Sequence, residues 1–159
     1  MRKTSAVDLK RSFGGMEDRA GVRFGLAGSA FLDSYASLLA PIGLTPSRVL
    51  ALGFIRANPG CEQGTLGRAL GIRKAAAMGS AERLEADGFV ERRDAADRRV
   101  RALYLTPKGE SACAEAEAMA TELEKAAFGW MDQDECEALL DRIDEIARRC
   151  VEWRDRQRG

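Results

Sequence analysis

Two short helical segments that lead directly into two short extended segments constrain the fold of this chain most. Residues 62–70 and 73–87 are predicted to be helices, with Gly71 available for the turn between them. Residues 89–93 and 99–105 are short runs of β-type residues on either side of a charged tip, which predicts a β-hairpin. A helix pair alone occurs in many helical proteins, but this order is much more specific.

The order helix, turn, helix, hairpin is that of a winged helix-turn-helix unit. Apolar Leu66, Leu70, Ile72 and Ala77 would hold the two helices together, and Gly67 would allow their close approach. We therefore predict a mainly α fold with a small β-hairpin wing.

Helices are also predicted on both sides of this unit. A stripe of apolar and small residues from Phe24 to Leu38 recurs at steps of three and four and stops at Pro41. Thr45-Pro46 and Thr106-Pro107 each combine a capping hydroxyl with a proline suited to the first helical position, and Asp132 is a third start signal. The predicted helices run from 46 to about 58, from 107 to about 129, and from 132 onward.

The last two helices carry apolar seams that a single helix cannot bury. The seams are Cys113, Ala116, Ala120, Leu123, Ala127 and Trp130, and then Cys136, Leu139, Ile143, Ile146, Cys150 and Trp153. They pack either on the core of their own chain or on a second chain, and the stripe on the first helix favours pairing of terminal helices between two chains. The predicted organisation is an arm over 1–23, a helical dimerisation region over 24–42 and 107–159, and a winged helix-turn-helix over 43–106.

The composition excludes several functional classes. The chain has no histidine, so it can build no Ser-His-Asp triad, Cys-His dyad or histidine-bearing zinc site. Its four cysteines are far apart, and only Cys61, in a loop, is a candidate redox sensor. We expect no enzyme activity, no metal and no cofactor. No apolar segment approaches the length of a membrane helix or a signal peptide, so we expect a cytoplasmic protein with no membrane partner.

A formal net charge of zero conceals a separation of charge along the chain. Residues 68–108 carry ten basic and six acidic side chains, whereas residues 109–147 carry two basic and twelve acidic side chains. This separation favours one surface that meets an anion and another that does not. Such patchiness also arises by chance in helical proteins.

Short motifs around the helix pair and the hairpin occur in a fixed order and spacing. They are Leu44-Thr45-Pro46-Ser47-Arg48, Asn58-Pro59-Gly60, Leu66 through Gly71, Arg83-Leu84-Glu85, Gly88 through Arg93, Asp97-Arg98-Arg99, and Leu105 through Gly109. Over about residues 24–147 the chain resembles the MarR family of transcriptional regulators. The resemblance implies a homodimer joined through the first and last helices, with two winged DNA-binding lobes. It also implies repression that a small, often aromatic or phenolic, ligand usually relieves.

The second helix of the pair is expected to enter the major groove of double-stranded DNA with its first turn. Arg73 and Lys74 stand at its start, and Ala75 and Ala76 are small enough to approach bases and to touch a thymine methyl group. By the resemblance, Gly79 lies where many relatives have arginine. We therefore expect more of the affinity to come from phosphates and from the wing.

The tip of the wing is expected to reach the minor groove. Arg98 or Arg99 matches the minor-groove arginine of the family, and a guanidinium there would read groove shape more than bases. Alternatively, Asp94 and Asp97 only pair with these arginines and hold the hairpin, although the resemblance implies that both hold and that aspartate braces the tip. The candidate phosphate contacts are Arg68, Arg92, Arg93 and Arg101. A two-fold dimer predicts a pseudo-palindromic operator with half-sites ~34 Å apart.

The resemblance places a ligand pocket between the first two helices and the long helix after the wing. Phe31, Tyr35, Arg48, Phe54 and Cys113 are the candidates to line it, and the arginine would suit a carboxylate. The same aromatic residues are also plausible core residues. The dimerisation candidates are Leu139, Ile143, Ile146, Cys150 and Trp153. The alternative function is a dimeric helical interaction module that kept the winged fold and lost DNA binding.

Overall fold

The computed structural model describes residues 14–16, 18–71, 74–94 and 101–157, apart from the side chains of 74–77, 94 and 101. Several predicted site residues therefore lie outside the described part of the chain. Four lie outside it entirely: Arg73, Asp97, Arg98 and Arg99. Five lie outside it as side chains: Lys74, Ala75, Ala76, Asp94 and Arg101. Most of the arm predicted over 1–23 is outside it as well.

The described residues form six α-helices and three short strands, so the fold is mainly helical. The helices are α1 (Ala20–Leu39), α2 (Pro46–Ala57), α3 (Gln63–Ala69), α4 (Lys74–Ala86), α5 (Pro107–Phe128) and α6 (Gln133–Arg156). The strands are β1 (Cys61–Glu62), β2 (Val90–Asp94) and β3 (Arg101–Leu105), and a 3-10 turn spans Ala40–Ile42 after α1.

The predicted helix starts are confirmed by their hydrogen bonds. The Thr45 hydroxyl accepts from the backbone N–H of Arg48, and the Thr106 hydroxyl accepts from that of Gly109 at 3.1 Å. At α6, Asp132 accepts from the N–H of Glu135, and the Glu135 carboxylate accepts from the N–H of Asp132. This reciprocal pair is a capping box, which satisfies two of the free donors at the helix start.

Three boundaries differ from the prediction. Helix α1 begins at Ala20, which places part of the predicted arm inside the helix. Helix α5 ends at Phe128, so Trp130 lies beyond the helix whose seam it was predicted to close. Strand β1 was not predicted, because two residues are too few to show an alternating pattern.

The three strands form one antiparallel sheet in the order β1-β3-β2. In its register, Val90 pairs with Leu105, Arg92 with Leu103, and Cys61 with Leu103 from the other side. The hairpin of β2 and β3 was predicted. Its third strand ties the hairpin to the residues just before α3.

The core of residues 1–121 lies between α2, α3, α4, the sheet and the start of α5. Its largest fully buried side chains are Leu39, Leu52, Ile55, Leu66, Leu84, Leu103 and Val90. Residues 122–159 form a second compact unit, the end of α5 followed by α6, and no residue of α6 is buried in it.

No single helix among the described residues is long and apolar enough to cross a membrane. Only Ala20–Ile42 joined to Pro46–Ala57 reaches that length and apolarity, and these two segments are bent by 74°.

Candidate nucleic-acid interface

Helices α3 and α4 pack on each other as a helix-turn-helix. Leu66 of α3 and Ala81 and Leu84 of α4 are fully buried at their junction with the core. Gly71 ends the turn after α3 with a φ of +64°, a left-handed conformation that glycine adopts without strain. The predicted geometry of the pair is therefore present.

The segment after α4 is attached to α2 and α5. The carboxylate of Asp87 forms an ion pair with Arg48 of α2, and its carbonyl oxygen accepts from Nζ of Lys108 at 2.7 Å. Phe89 follows, with the guanidinium of Arg48 5.3 Å from its ring centre and Nζ of Lys108 4.6 Å from it. The end of α4 is thus held from two sides.

Arg92 and Arg93 point to opposite sides of strand β2. Nε of Arg92 lies 2.9 Å from Oε2 of Glu85 on α4, and the Arg92 side chain is only 15% exposed. The Arg93 side chain is 60% exposed. Because neighbouring residues of a strand face opposite sides of the sheet, only one of these two predicted phosphate contacts faces solvent.

Arg93 is held in place on the outer face of the wing. Its guanidinium carbon lies 4.4 Å from the ring centre of Tyr104, and its Nε donates to Glu91 at 2.8 Å. Tyr104 in turn packs on Gly60, where an added Cβ would lie 2.8 Å from the Tyr104 hydroxyl. Nη2 of Arg93 donates to Glu91 as well, and the side chain remains 60% exposed.

Two further cations are exposed on the helix pair. Arg68 of α3 donates to the Thr65 hydroxyl at 3.0 Å and has no carboxylate partner among the residues that the structure describes. Arg83 is exposed in the last turn of α4. The sequence analysis did not single it out as a candidate DNA contact, although its spacing from the apolar Ala81 and Leu84 already puts it off the buried face.

The five predicted pocket residues are only partly brought together. Tyr35 of α1 donates from its hydroxyl to the carbonyl of Ala116 on α5 at 3.1 Å, and Cys113 of α5 is buried. Tyr35 and Phe54 pack against the core around Cys113, and Phe31 is half-buried. Arg48 is committed elsewhere, to Asp87 and to the Gly43 carbonyl.

A cavity of about 440 Å³ opens beside the Asp87 segment instead. It is lined by Ile42, Gly43, Asp87, Phe89, Lys108, Ser111, Ala112 and Glu115. None of the predicted pocket residues lines it.

Neither Cys61 nor Cys113 shows the features of an activated thiol. Burial raises the pKa of the Cys61 thiol, and it raises that of Cys113 as well. Because the thiolate is the reactive form, a raised pKa slows reaction with peroxide near neutral pH. This weighs against the sensor role considered for Cys61.

The two predicted seams have different surroundings. On α5, Cys113 and Ala116 are buried in the core of their own chain. On α6, Leu139 and Ile143 line an apolar groove with Phe128 and Met131, while Ile146, Cys150 and Trp153 are exposed. The exposed half of the α6 seam is thus not covered by any residue that the structure describes.

Comparisons with known proteins agree with this geometry. The sequence profile of the MarR family matches residues 42–100. No curated protein matches the chain in sequence.

Solved structures match over most of the chain. The transcriptional repressor CouR bound to a 23-mer DNA duplex is 29% identical with a TM-score of 0.79, over 86% of this chain and 98% of CouR. CouR bound to p-coumaroyl-CoA is 28% identical with a TM-score of 0.77, over 86% and 97%. A probable transcriptional regulator from Pseudomonas aeruginosa is 26% identical with a TM-score of 0.74, over 82% and 98%. The profile match over residues 42–100 and these structures, together with the helix pair and wing seen here, support a winged-helix transcriptional regulator of the MarR family.

Proposed function

We propose that the chain is a homodimeric repressor that binds a pseudo-palindromic operator through α4, the recognition helix, and the wing. The observation that carries this proposal is that three cations of the winged lobe are exposed, namely Arg68, Arg83 and Arg93. CouR, which has this fold at 29% identity, is bound to a DNA duplex in its structure. The acidic residues 109–147 would repel DNA, so the duplex is expected to meet the lobe and not the last helices.

A salt titration tests the proposal. We expect tight binding to the DNA upstream of the coding region, weak binding to random DNA, and a steep loss of affinity with salt because bound arginines displace counterions. Arg68→Gln and Arg93→Gln should each flatten the plot of log K against log salt by about one unit. Fluorescence anisotropy over a salt series measures this slope.

Arg156→Gln is the matched control, because it removes the same charge from the end of α6. Its slope should equal that of the wild-type chain. Weak binding of the wild-type chain to both DNAs would contradict the repressor and favour the interaction module. An unchanged slope in both lobe variants would remove α3 and β2 from the DNA interface.

We further propose that a small ligand releases the DNA. CouR, at 28% identity, is bound to p-coumaroyl-CoA, and Tyr35, Phe54 and Cys113 lie where α1, α2 and α5 meet. A ligand entering there would strain the hydrogen bond between Tyr35 and Ala116 that joins α1 to α5. Adding p-coumaroyl-CoA and free phenolic acids to the protein–DNA complex tests this step, and no loss of binding with any of them would contradict it for this ligand class.

A further inference from the structure

Arg92 is a basic wing residue that faces inward. It pairs in the sheet with Leu103, which is fully buried, and paired residues of an antiparallel sheet lie on the same face. The Arg92 side chain therefore projects toward the core side, where it meets Glu85 in the last turn of α4. Arg93, its neighbour, projects to the other side and is exposed.

We propose that Arg92 is a positioning residue, which sets the wing relative to the recognition helix through Glu85 and touches no phosphate itself. The inference rests on the DNA-binding function proposed above. A phosphate contact would require the guanidinium, now 15% exposed, to leave a carboxylate that lies 2.9 Å away. The position of Arg92 therefore favours a role inside the lobe.

The ion pair links two elements that the backbone joins only by a short turn. Helix α4 ends at Ala86 and strand β2 begins at Val90, with Gly88 between them at a φ of +75°. Each element carries its own predicted DNA contacts, so the angle between them decides whether both reach the duplex at once. The contact from Glu85 to Arg92 bridges this turn.

The surroundings of Arg92, whose side chain is largely buried while that of Glu85 is 38% exposed, fit a geometric role better than a purely stabilising one. Within the described part of the chain, Nε and Nη2 of Arg92 are buried with no hydrogen-bond partner, despite the close carboxylate. Buried charges with unsatisfied donors are costly, and apolar residues at such sites often stabilise a protein equally well. What a charge pair adds is an attraction that holds its two partners at close range.

The test compares Arg92→Gln, Glu85→Gln and the double variant in the same salt titration, with Arg93→Gln as a comparator. We expect each single variant to weaken selective binding about tenfold, with the salt slope of the wild-type chain. The double variant should bind DNA no more weakly than the weaker-binding single variant, because either substitution alone already breaks the contact between Glu85 and Arg92. Arg93→Gln should instead flatten the slope.

The sign of the Glu85→Gln effect separates the two roles of Arg92. Removing an acidic group near DNA would tighten binding if Arg92 were then free to reach a phosphate, but it should weaken binding if the pair positions the wing. The proposal would be overturned if Glu85→Gln bound DNA more tightly or if Arg92→Gln lowered the salt slope. Unchanged affinities of the variants, or additive losses of affinity in the double variant, would also overturn it. Circular dichroism and thermal unfolding establish whether each variant is folded. If Arg92→Gln does not fold, the affinity of Glu85→Gln decides between the two roles of Arg92. If the wild-type chain binds no DNA selectively, the proposed function is overturned, and this inference is overturned with it.

Discussion

Replacing Gly109 by alanine is expected to destabilise the chain by about 3 kcal/mol, at the upper end of the usual cost of overpacking. Gly109 is buried in the first turn of α5, directly against the backbone of the segment after α4. An added Cβ would collide with the carbonyl oxygen of Phe89 and lie 3.1 Å from its carbonyl carbon. That oxygen accepts a hydrogen bond from the N–H of Thr106, so it cannot move away from the added Cβ without loss of this hydrogen bond.

Thermal unfolding at one fixed protein concentration measures the effect, which should lower Tm by roughly 6 to 12 °C for a chain of this size. Gly79→Ala is the matched control. It lies inside α4 with no atom within 4 Å of the added Cβ, so alanine should stabilise the helix by about 1 kcal/mol. Equal Tm values for the Gly109 variant and the wild-type chain would show that α5 and the Phe89 segment are not packed as described.

Replacing Ile146 by glutamate is expected to convert the proposed dimer to monomers and to weaken operator binding at least 100-fold, since two linked lobes bind far more tightly than one. Ile146 is 43% exposed on the uncovered half of the α6 seam. A two-fold interface would bury two such carboxylates without partners, at a cost of several kcal/mol each. Sedimentation velocity at micromolar concentration measures the oligomeric state.

Val151→Glu is the control for this variant, because Val151 is 45% exposed on the same helix and lies off the seam. It should remain dimeric and bind DNA as the wild-type chain does. A dimeric Ile146→Glu variant with unchanged affinity would show that the proposed interface lies elsewhere.

The arginines show which features of the candidate site the sequence predicts and which it does not. Arg92 and Arg93 were equal candidates for phosphate contact, and alternation along a strand predicts only that they face opposite sides. Which one faces inward depends on the register of β2 against β3, where Arg92 meets Leu103. Arg48 was expected to read a ligand carboxylate, and it binds Asp87, a residue 39 positions away, instead.

The apolar seams of α5 and α6 also show what the sequence predicts and what it does not. Their spacing predicted surfaces in need of cover, but not what covers them. On α5, Cys113 and Ala116 are buried by the chain's own core, whereas Ile146 and Trp153 on α6 are exposed. The first part of the pattern therefore needs no second chain, and pairing of the α6 seam between two chains stays a prediction.

The sequence by itself determined where most helices begin, where α3 and α4 turn, and that a hairpin follows. These features depend on interactions within a few residues, such as Thr106 capping the start of α5 and Gly71 taking a left-handed turn. Only the tertiary structure decided which cations face solvent and which residues of the seams are exposed. Those properties depend on contacts between residues far apart in the chain, because the side chain that neutralises or covers a group is set by packing and not by neighbouring sequence.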